Sequence, residues 1–109
     1  MRESLEQILE DSRSDDVRLR RSAARELCPC ELKADHPEAW SRVFELTRDD
    51  DARVRRIAFH TLTDGSPRER RADVLAALEG MYDDSDLRLR RSVRQRLARY
   101  RRSGRINHH

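Results

Sequence analysis

The sequence has little glycine, proline or aromatic character, with three glycines, three prolines and 5% aromatic residues in 109 positions. So few chain-breaking residues argue against long disordered linkers. No stretch approaches the roughly 20 apolar residues of a membrane-spanning helix, and the first nine residues have no apolar run of the signal-peptide type. We therefore expect a cytoplasmic protein with no membrane contact and with reduced thiols.

Charged side chains dominate the composition. They make up 41% of the residues against 36% hydrophobic ones, so any core must be thin, as in stacked helices that bury one stripe each. Lys33 is the only lysine beside 23 arginines, and the last nine arginines, from Arg88 to Arg105, come with no acid among them. The arginine excess is explained either by function or by the base composition of the source genome.

The sequence repeats itself at a fixed spacing of 35 residues, in segments 14–27, 49–62 and 84–97. Self-similarity at one period is typical of a repeat array. Each segment predicts a helix with an aspartate N-cap and apolar residues four apart. The equivalent positions are Asp16/Asp51/Asp86, Leu19/Val54/Leu89, Arg20/Arg55/Arg90, Arg21/Arg56/Arg91, Ala23/Ala58/Val93 and Leu27/Leu62/Leu97.

A second set of amphipathic helices precedes these segments, again at 35-residue spacing. Its apolar positions are Leu5, Ile8 and Leu9, then Trp40, Val43 and Phe44, then Leu75 and Leu78. The fold class predicted is all-α, an α-solenoid of three helical hairpins and six helices in one domain, 1–104. The repeats span about 2–28, 37–63 and 67–102, and 105–109 is expected to be a flexible tail that a tag remnant would explain. Ser66, Pro67 and Glu69 predict a capped start for the fifth helix.

The segment 49–62 resembles a HEAT-like repeat of the subtype found in the bacterial phycobilin-lyase-related family. The matching residues are Asp49, Asp51, Val54, Arg55, Ala58 and Leu62, while Ala52 stands where that family often has proline. The resemblance implies a scaffold for protein partners, since only a minority of such arrays bind DNA or attach chromophores. It also implies that Arg20, Arg55 and Arg90 form a ladder with Asp49 and Asp84 in the turns between repeats.

The other basic residues of the inner helices predict a binding surface. On helices turning about 100° per residue they lie opposite the apolar stripe. They are Arg18, Arg21, Arg25, Arg53, Arg56, His60, Arg88, Arg91 and Arg99. The leading interpretation is binding of an acidic protein partner. Alternatives are binding of a nucleic-acid backbone, although no aromatic residue is available there for base stacking, and a solvated face balanced by nearby aspartates.

The two cysteines lie in the longest loop between helices. Cys28 and Cys30, with His60 and either His36 or Asp64, suggest a zinc site, although zinc sites usually have wider cysteine spacing. A packed Cys28 at a helix end is the structural alternative, and a redox or chromophore-attaching thiol is the third.

No catalytic motif is present: the sequence has no Ser/His/Asp order, phosphate-binding glycine loop or helical His-Glu-x-x-His. We therefore expect a non-enzymatic binding or scaffold module without a required cofactor. The end faces of a three-repeat stack would be open to a second copy, so a homodimer is also expected, with the N-terminal end as its interface.

Overall fold

The computed structural model describes residues 4–28 and 36–107. Within these ranges the chain forms six α-helices, one short 3₁₀ helix and no strand, which confirms the all-α helical-repeat class. The helices are α1 (Leu5–Asp11), α2 (Val17–Glu26), α3 (Pro37–Leu46), α4 (Ala52–Thr63), α5 (Arg71–Gly80) and α6 (Leu87–Ser103), with the 3₁₀ helix at Arg68–Arg70. None of these helices has the length and apolar character needed to cross a membrane.

The chain divides into two compact units, Met1–Thr61 and Leu62–His109, so the boundary falls inside α4. In the first unit α1 packs against both α2 and α3. Helices α1 and α3 are the outer helices of successive repeats, and their contact agrees with the predicted stacking. In the second unit α5 packs against α6 and the 3₁₀ helix. The single domain 1–104 stays a prediction.

The turn before each inner helix has the same hydrogen bonds three times over. The residue two positions before each N-cap accepts the N–H of the N-cap residue: Ser14 for Asp16 at 3.0 Å, Asp49 for Asp51 at 2.9 Å and Asp84 for Asp86 at 2.9 Å. The carboxylates of Asp16, Asp51 and Asp86 then accept N–H groups of the first helical turn. The three predicted N-caps are therefore confirmed.

The apolar stripe is buried in the inner helices, with one exception. Val54 and Leu89 are 0% and 1% exposed, whereas Leu19, at the equivalent position of the first repeat, is 45% exposed. Its assignment to the core was wrong, because helical periodicity shows which face of a helix is apolar but not whether another element covers that face. The outer helix of the first repeat is also polar at a position that is apolar in the next repeat. Asp11 is equivalent to Leu46, which lies 35 residues later and is buried.

Aromatic packing occurs in the middle repeat, where Trp40 and Phe44 were predicted to lie on the apolar face of the outer helix. Trp40 is 2% exposed, and its ring centroid lies 6.3 Å from that of Phe44. Phe44 and Phe59 are half-buried.

The start of the fifth helix differs from the prediction. Ser66 does not cap it; a 3₁₀ turn comes first and α5 begins at Arg71. Ser66 instead donates its N–H and hydroxyl to the Asn107 side-chain oxygen, at 3.0 and 3.1 Å, and the Asn107 amide donates back to the Ser66 carbonyl at 3.1 Å. Sequence reasoning could not foresee this because Asn107 is 41 residues away.

The same contacts correct the expected tail. Ile106 is 2% exposed, and Asn107 also accepts the Gly65 N–H at 2.9 Å. The chain turns back at Gly104, whose φ of 71° ends α6 in the left-handed region that glycine tolerates. The tail assigned to 105–109 is therefore packed at Ile106 and Asn107, while the last two histidines lie outside the described residues.

Candidate functional site

Arg20 joins the first repeat to the turn that precedes α4. Its guanidinium donates to both carboxylate oxygens of Asp49, at 3.2 and 3.4 Å, and to Asp50 at 3.0 Å. It also donates to the Ser14 carbonyl at 2.9 Å. The side chains of Arg20 and Asp49 are only 14% and 11% exposed. The ladder role implied by the resemblance is confirmed for Arg20.

Arg55 makes the equivalent contact within its own repeat, donating to the Asp49 carbonyl at 2.9 Å. This bond matches the one from Arg20 to Ser14, one repeat earlier. The pairing of Arg55 with Asp84, and the role of Arg90, stay predictions.

Arg21 belongs to the same junction and not to an exposed surface. Its guanidinium donates two hydrogen bonds, of 3.0 and 2.9 Å, to the Asp51 carboxylate, and only 24% of its side chain is exposed. These bonds lower the pKa of Asp51 to about 2, helped by the Val54 N–H, and they raise the pKa of Arg21. The expectation that Arg21 faces solvent is corrected: its partner is the N-cap of the next inner helix.

A second junction joins the outer helices, and sequence reasoning missed it. Arg42 on α3 donates to the hydroxyl of Ser12 at 2.9 Å and to its carbonyl at 2.8 Å. Ser12 is fully buried, so the arginine satisfies a carbonyl at the end of α1 that water cannot reach. The repeat gave no signal for this pair, because glutamine and alanine occupy the positions 35 residues before and after Arg42.

A cleft of about 530 Å³ opens between the end of α2 and the first three turns of α4. It lies entirely within the first unit. The described residues that line it are Arg25, Cys28, Arg53, Arg56, Ile57, His60 and Thr61. Three are arginines and none is acidic. A volume of this size is in the range of sites that hold a small ligand or a few side chains.

Four of the nine predicted binding residues therefore meet at one place: Arg25, Arg53, Arg56 and His60. Arg18 lies away from them, with its side chain 86% exposed and 3.5 Å from Asp16. Arg88, Arg91 and Arg99 are exposed on α6, in the second unit. The predicted continuous surface over all three repeats stays a prediction.

Sequence reasoning missed Ile57 and Thr61, which form the less polar part of the cleft. The signal was present, since Ile57 follows Arg53 by four residues and Thr61 follows Ile57 by four, on one helix face. A buried arginine on α6, away from the cleft, was missed as well. Arg96 is 9% exposed. Burial, and then the nearby charge of Arg99, lower the pKa of Arg96.

The proposed zinc ligands are only partly placed. Cys28 and His60 both line the cleft, while Cys30 lies outside the described residues. Within ranges 4–28 and 36–107, no group of three histidine, cysteine or acidic side chains is arranged to hold a metal ion. Cys28 is 5% exposed at the end of α2, which agrees with the packed alternative.

Comparison with known proteins gives one match. The family model for HEAT repeats matches residues 2–98. No curated protein and no solved structure matches the chain.

Proposed function

The chain belongs to the HEAT repeat family, and we propose that its cleft binds an acidic segment of a protein partner. HEAT repeats generally serve as scaffolds for protein interactions and are generally non-enzymatic. The observation behind the proposal is that Arg25 and Arg53, both exposed, lie along one cleft whose described lining has no acidic residue. Guanidinium groups bind carboxylates through paired hydrogen bonds, so an acidic chain is the complementary ligand.

The arginines that join the first two repeats, Arg20 and Arg21, differ from the arginines beside the cleft. Arg20 and Arg21 lie on the same helix as Arg25, and both have carboxylates of this chain within 3.2 Å. Those two arginines serve the fold. Arg25 and Arg53 are exposed beside the cleft, where their charge raises the local concentration of anionic partners.

A protein ligand fits the lining better than a nucleic acid. The described lining residues include no aromatic ring on which a base could stack. Ile57 and the buried Cys28 offer apolar contact to a side chain of a bound peptide. Duplex binding would use only backbone phosphates and would weaken steeply with salt.

The test is a fluorescence-anisotropy titration of the full chain with a labelled glutamate-rich peptide, a glutamine-rich peptide of equal length, duplex DNA and single-stranded RNA. We expect binding of the acidic peptide and at least a tenfold loss of affinity in the variant Arg25→Glu/Arg53→Glu. The matched control is Arg101→Glu/Arg102→Glu, which makes the same charge change at exposed positions of the second unit. Equal losses in both variants, or preference for DNA or RNA, would contradict the proposal.

The finer assignments remain part of this proposal. The phycobilin-lyase-related subtype, a bacterial source, a cytoplasmic location, a homodimer and a zinc or thiol role for Cys28, Cys30 and His60 are all predictions from the sequence.

A further inference from the structure

The junction between the first two repeats pairs arginines of one inner helix with aspartates at the start of the next. Arg21 on α2 donates two hydrogen bonds to Asp51, the N-cap of α4. Its neighbour Arg20 donates to Asp50 at 3.0 Å. Because the sequence repeats every 35 residues, each of these four groups has an equivalent in the first or the last repeat.

The acceptors of this junction recur in the turn before α2, where they are open to solvent. Asp15 and Asp16 lie 35 residues before Asp50 and Asp51. Asp15 is exposed, and the Asp16 side chain is 43% exposed against 19% for Asp51. Asp16 accepts the Arg18 N–H at 2.9 Å and lies 3.5 Å from the Arg18 guanidinium, so these contacts come from its own helix. The first repeat therefore presents the acceptor half of a junction to solvent.

The donors recur at the start of α6. Arg90 and Arg91 lie two periods of 35 residues after Arg20 and Arg21. The Arg90 N–H donates to the carbonyl of the N-cap Asp86 at 2.9 Å, and the matching bond of α2 is 3.1 Å. Arg91 is exposed and Arg90 half-buried, and neither side chain has a hydrogen bond or an ion pair within the part of the chain that the structure describes. The last repeat therefore presents the donor half.

An exposed leucine lies beside each half. Leu19 follows Asp16 by three residues and Leu87 precedes Arg91 by four, so each leucine shares a helix face with the charged group. The two leucines are 45% and 48% exposed. At the junction between the first two repeats, Val54 takes the position of Leu19 and is 0% exposed. Contact between the two halves would remove both leucines from water.

We propose that a second copy of this chain supplies the other half, so that the last repeat of one copy binds the first repeat of another. In this contact Arg91 pairs with Asp16 of the other copy, and Arg90 pairs with Asp15. Both pairs repeat those of the junction between the first two repeats. The contact joins two different surfaces, so it is heterologous and differs from a symmetric dimer through the N-terminal end. The cleft takes no part in it.

The surface of the last repeat limits the strength of this contact. The Arg94 guanidinium lies 4.3 Å from the centroid of the Tyr82 ring, and both residues are exposed. The equivalent residues of the first repeat, Ala24 and Ser12, are small and are 2% and 0% exposed. A large polar pair in place of two small buried residues reduces the area that another repeat can cover. We therefore expect a weak and salt-sensitive association and not a permanent oligomer.

The experiment is sedimentation velocity of the full chain from about 10 µM to 1 mM, at about 50 and 500 mM salt. We expect the weight-average sedimentation coefficient to rise with concentration at low salt and to rise much less at high salt. Arg91→Glu places a carboxylate opposite Asp16, so the dissociation constant should rise about tenfold or more. Asp16→Asn keeps the helix cap but removes the charge, and it should weaken the association in the same direction.

The matched control is Arg102→Glu, which makes the same charge change at an exposed position about three turns further along α6. It should leave the dissociation constant unchanged. Circular dichroism of each variant confirms that it is folded.

A mixing test identifies the two surfaces. Asp15→Arg and Arg90→Glu each bring like charges together when the variant is alone, so each should associate more weakly than wild type. Their equimolar mixture should associate as wild type does. In the mixture every contact between the two variants joins opposite charges, either the original pair or the reversed one.

The outcomes are distinct. A sedimentation coefficient that stays constant over the whole concentration range overturns the inference. So does an equal effect of Arg102→Glu and Arg91→Glu, because net charge would then be responsible. Weakening by Asp16→Asn without weakening by Arg91→Glu, or no recovery in the mixture, would mean that two first repeats pair with each other, and this also overturns it. Binding of an acidic peptide in the cleft is a separate measurement that none of these results decides.

Discussion

Neutralising Asp51 should destabilise the fold more than the same change at any other N-cap aspartate of the first unit. The Asp51 carboxylate caps α4 and also takes two bonds from Arg21 on the preceding repeat. Asparagine caps helices about as well as aspartate. The substitution Asp51→Asn therefore removes the charge of the ion pair while it keeps the helix cap.

The magnitude follows from the pKa of Asp51. The ordinary value of 3.8 falls to about 2 in the folded chain, and this difference corresponds to about 2.4 kcal/mol. The side chains of Asp51 and Arg21 are 19% and 24% exposed, so water screens part of the interaction. We expect Asp51→Asn to lower the free energy of unfolding by about 1–2 kcal/mol at pH 7.

The lowered pKa of Asp51 determines how the stabilisation changes with pH. The folded chain keeps Asp51 ionised at pH values where the unfolded chain has already bound a proton. The stabilisation is therefore complete above the ordinary pKa of 3.8 and is lost as pH falls toward about 2. About half of it should remain at pH 3.

The assay is urea unfolding followed by circular dichroism at 222 nm, for wild type and variant at pH 7, 5, 4 and 3. The matched control is Asp16→Asn at the N-cap of α2, the equivalent position of the first repeat. Asp16 has a lowered pKa through the Arg18 N–H, but its ion pair is local, with Arg18 at 3.5 Å. Its loss of stability should be clearly smaller. Equal losses at both positions, or a loss at Asp51 that does not shrink with falling pH, would refute the reasoning.

Two further predictions follow, one on packing in the first unit and one on hydrogen bonds in the second unit. Leu27→Ala should cost about 2–5 kcal/mol because Leu27 is 1% exposed, whereas Leu19→Ala, at 45% exposure, should cost well under half as much; urea midpoints of the two variants give the comparison. Asn107→Ala should lower stability by about 1–3 kcal/mol, since the N–H groups of Gly65 and Ser66 lose their acceptor, and should speed amide hydrogen exchange at those two residues with little change in α2. Equal costs at both leucines, or unchanged exchange at Ser66, would contradict these expectations.

Local chemistry made most of the fold predictable. Helix type, helix number and the three N-caps depend on residues close together in the sequence, such as Asp51 and Val54, and the 35-residue period repeated the same local pattern. Arg20 was placed correctly because the resemblance supplied its partner, Asp49. The four cleft residues were predicted as binding candidates from helical periodicity, although their meeting in one cleft was not.

The failures have one physical cause in common: each depends on a partner distant in sequence. Periodicity shows which face of a helix is apolar but not whether another helix covers it, so Leu19 was assigned to the core and is exposed. Charge pattern shows that Arg21 lies off the apolar stripe but not that Asp51 comes within 3.0 Å of it.

The sequence alone determined the helices, the aspartate N-caps of the inner helices and the family, because short-range hydrogen bonds and the apolar period decide these. Only the tertiary structure decided which arginines hold the repeats together and which line the cleft. Arg21 and Arg25 lie on the same helix, and the structure shows that the Arg21 guanidinium is within 3.0 Å of a carboxylate 30 residues away, a contact that no local pattern predicts.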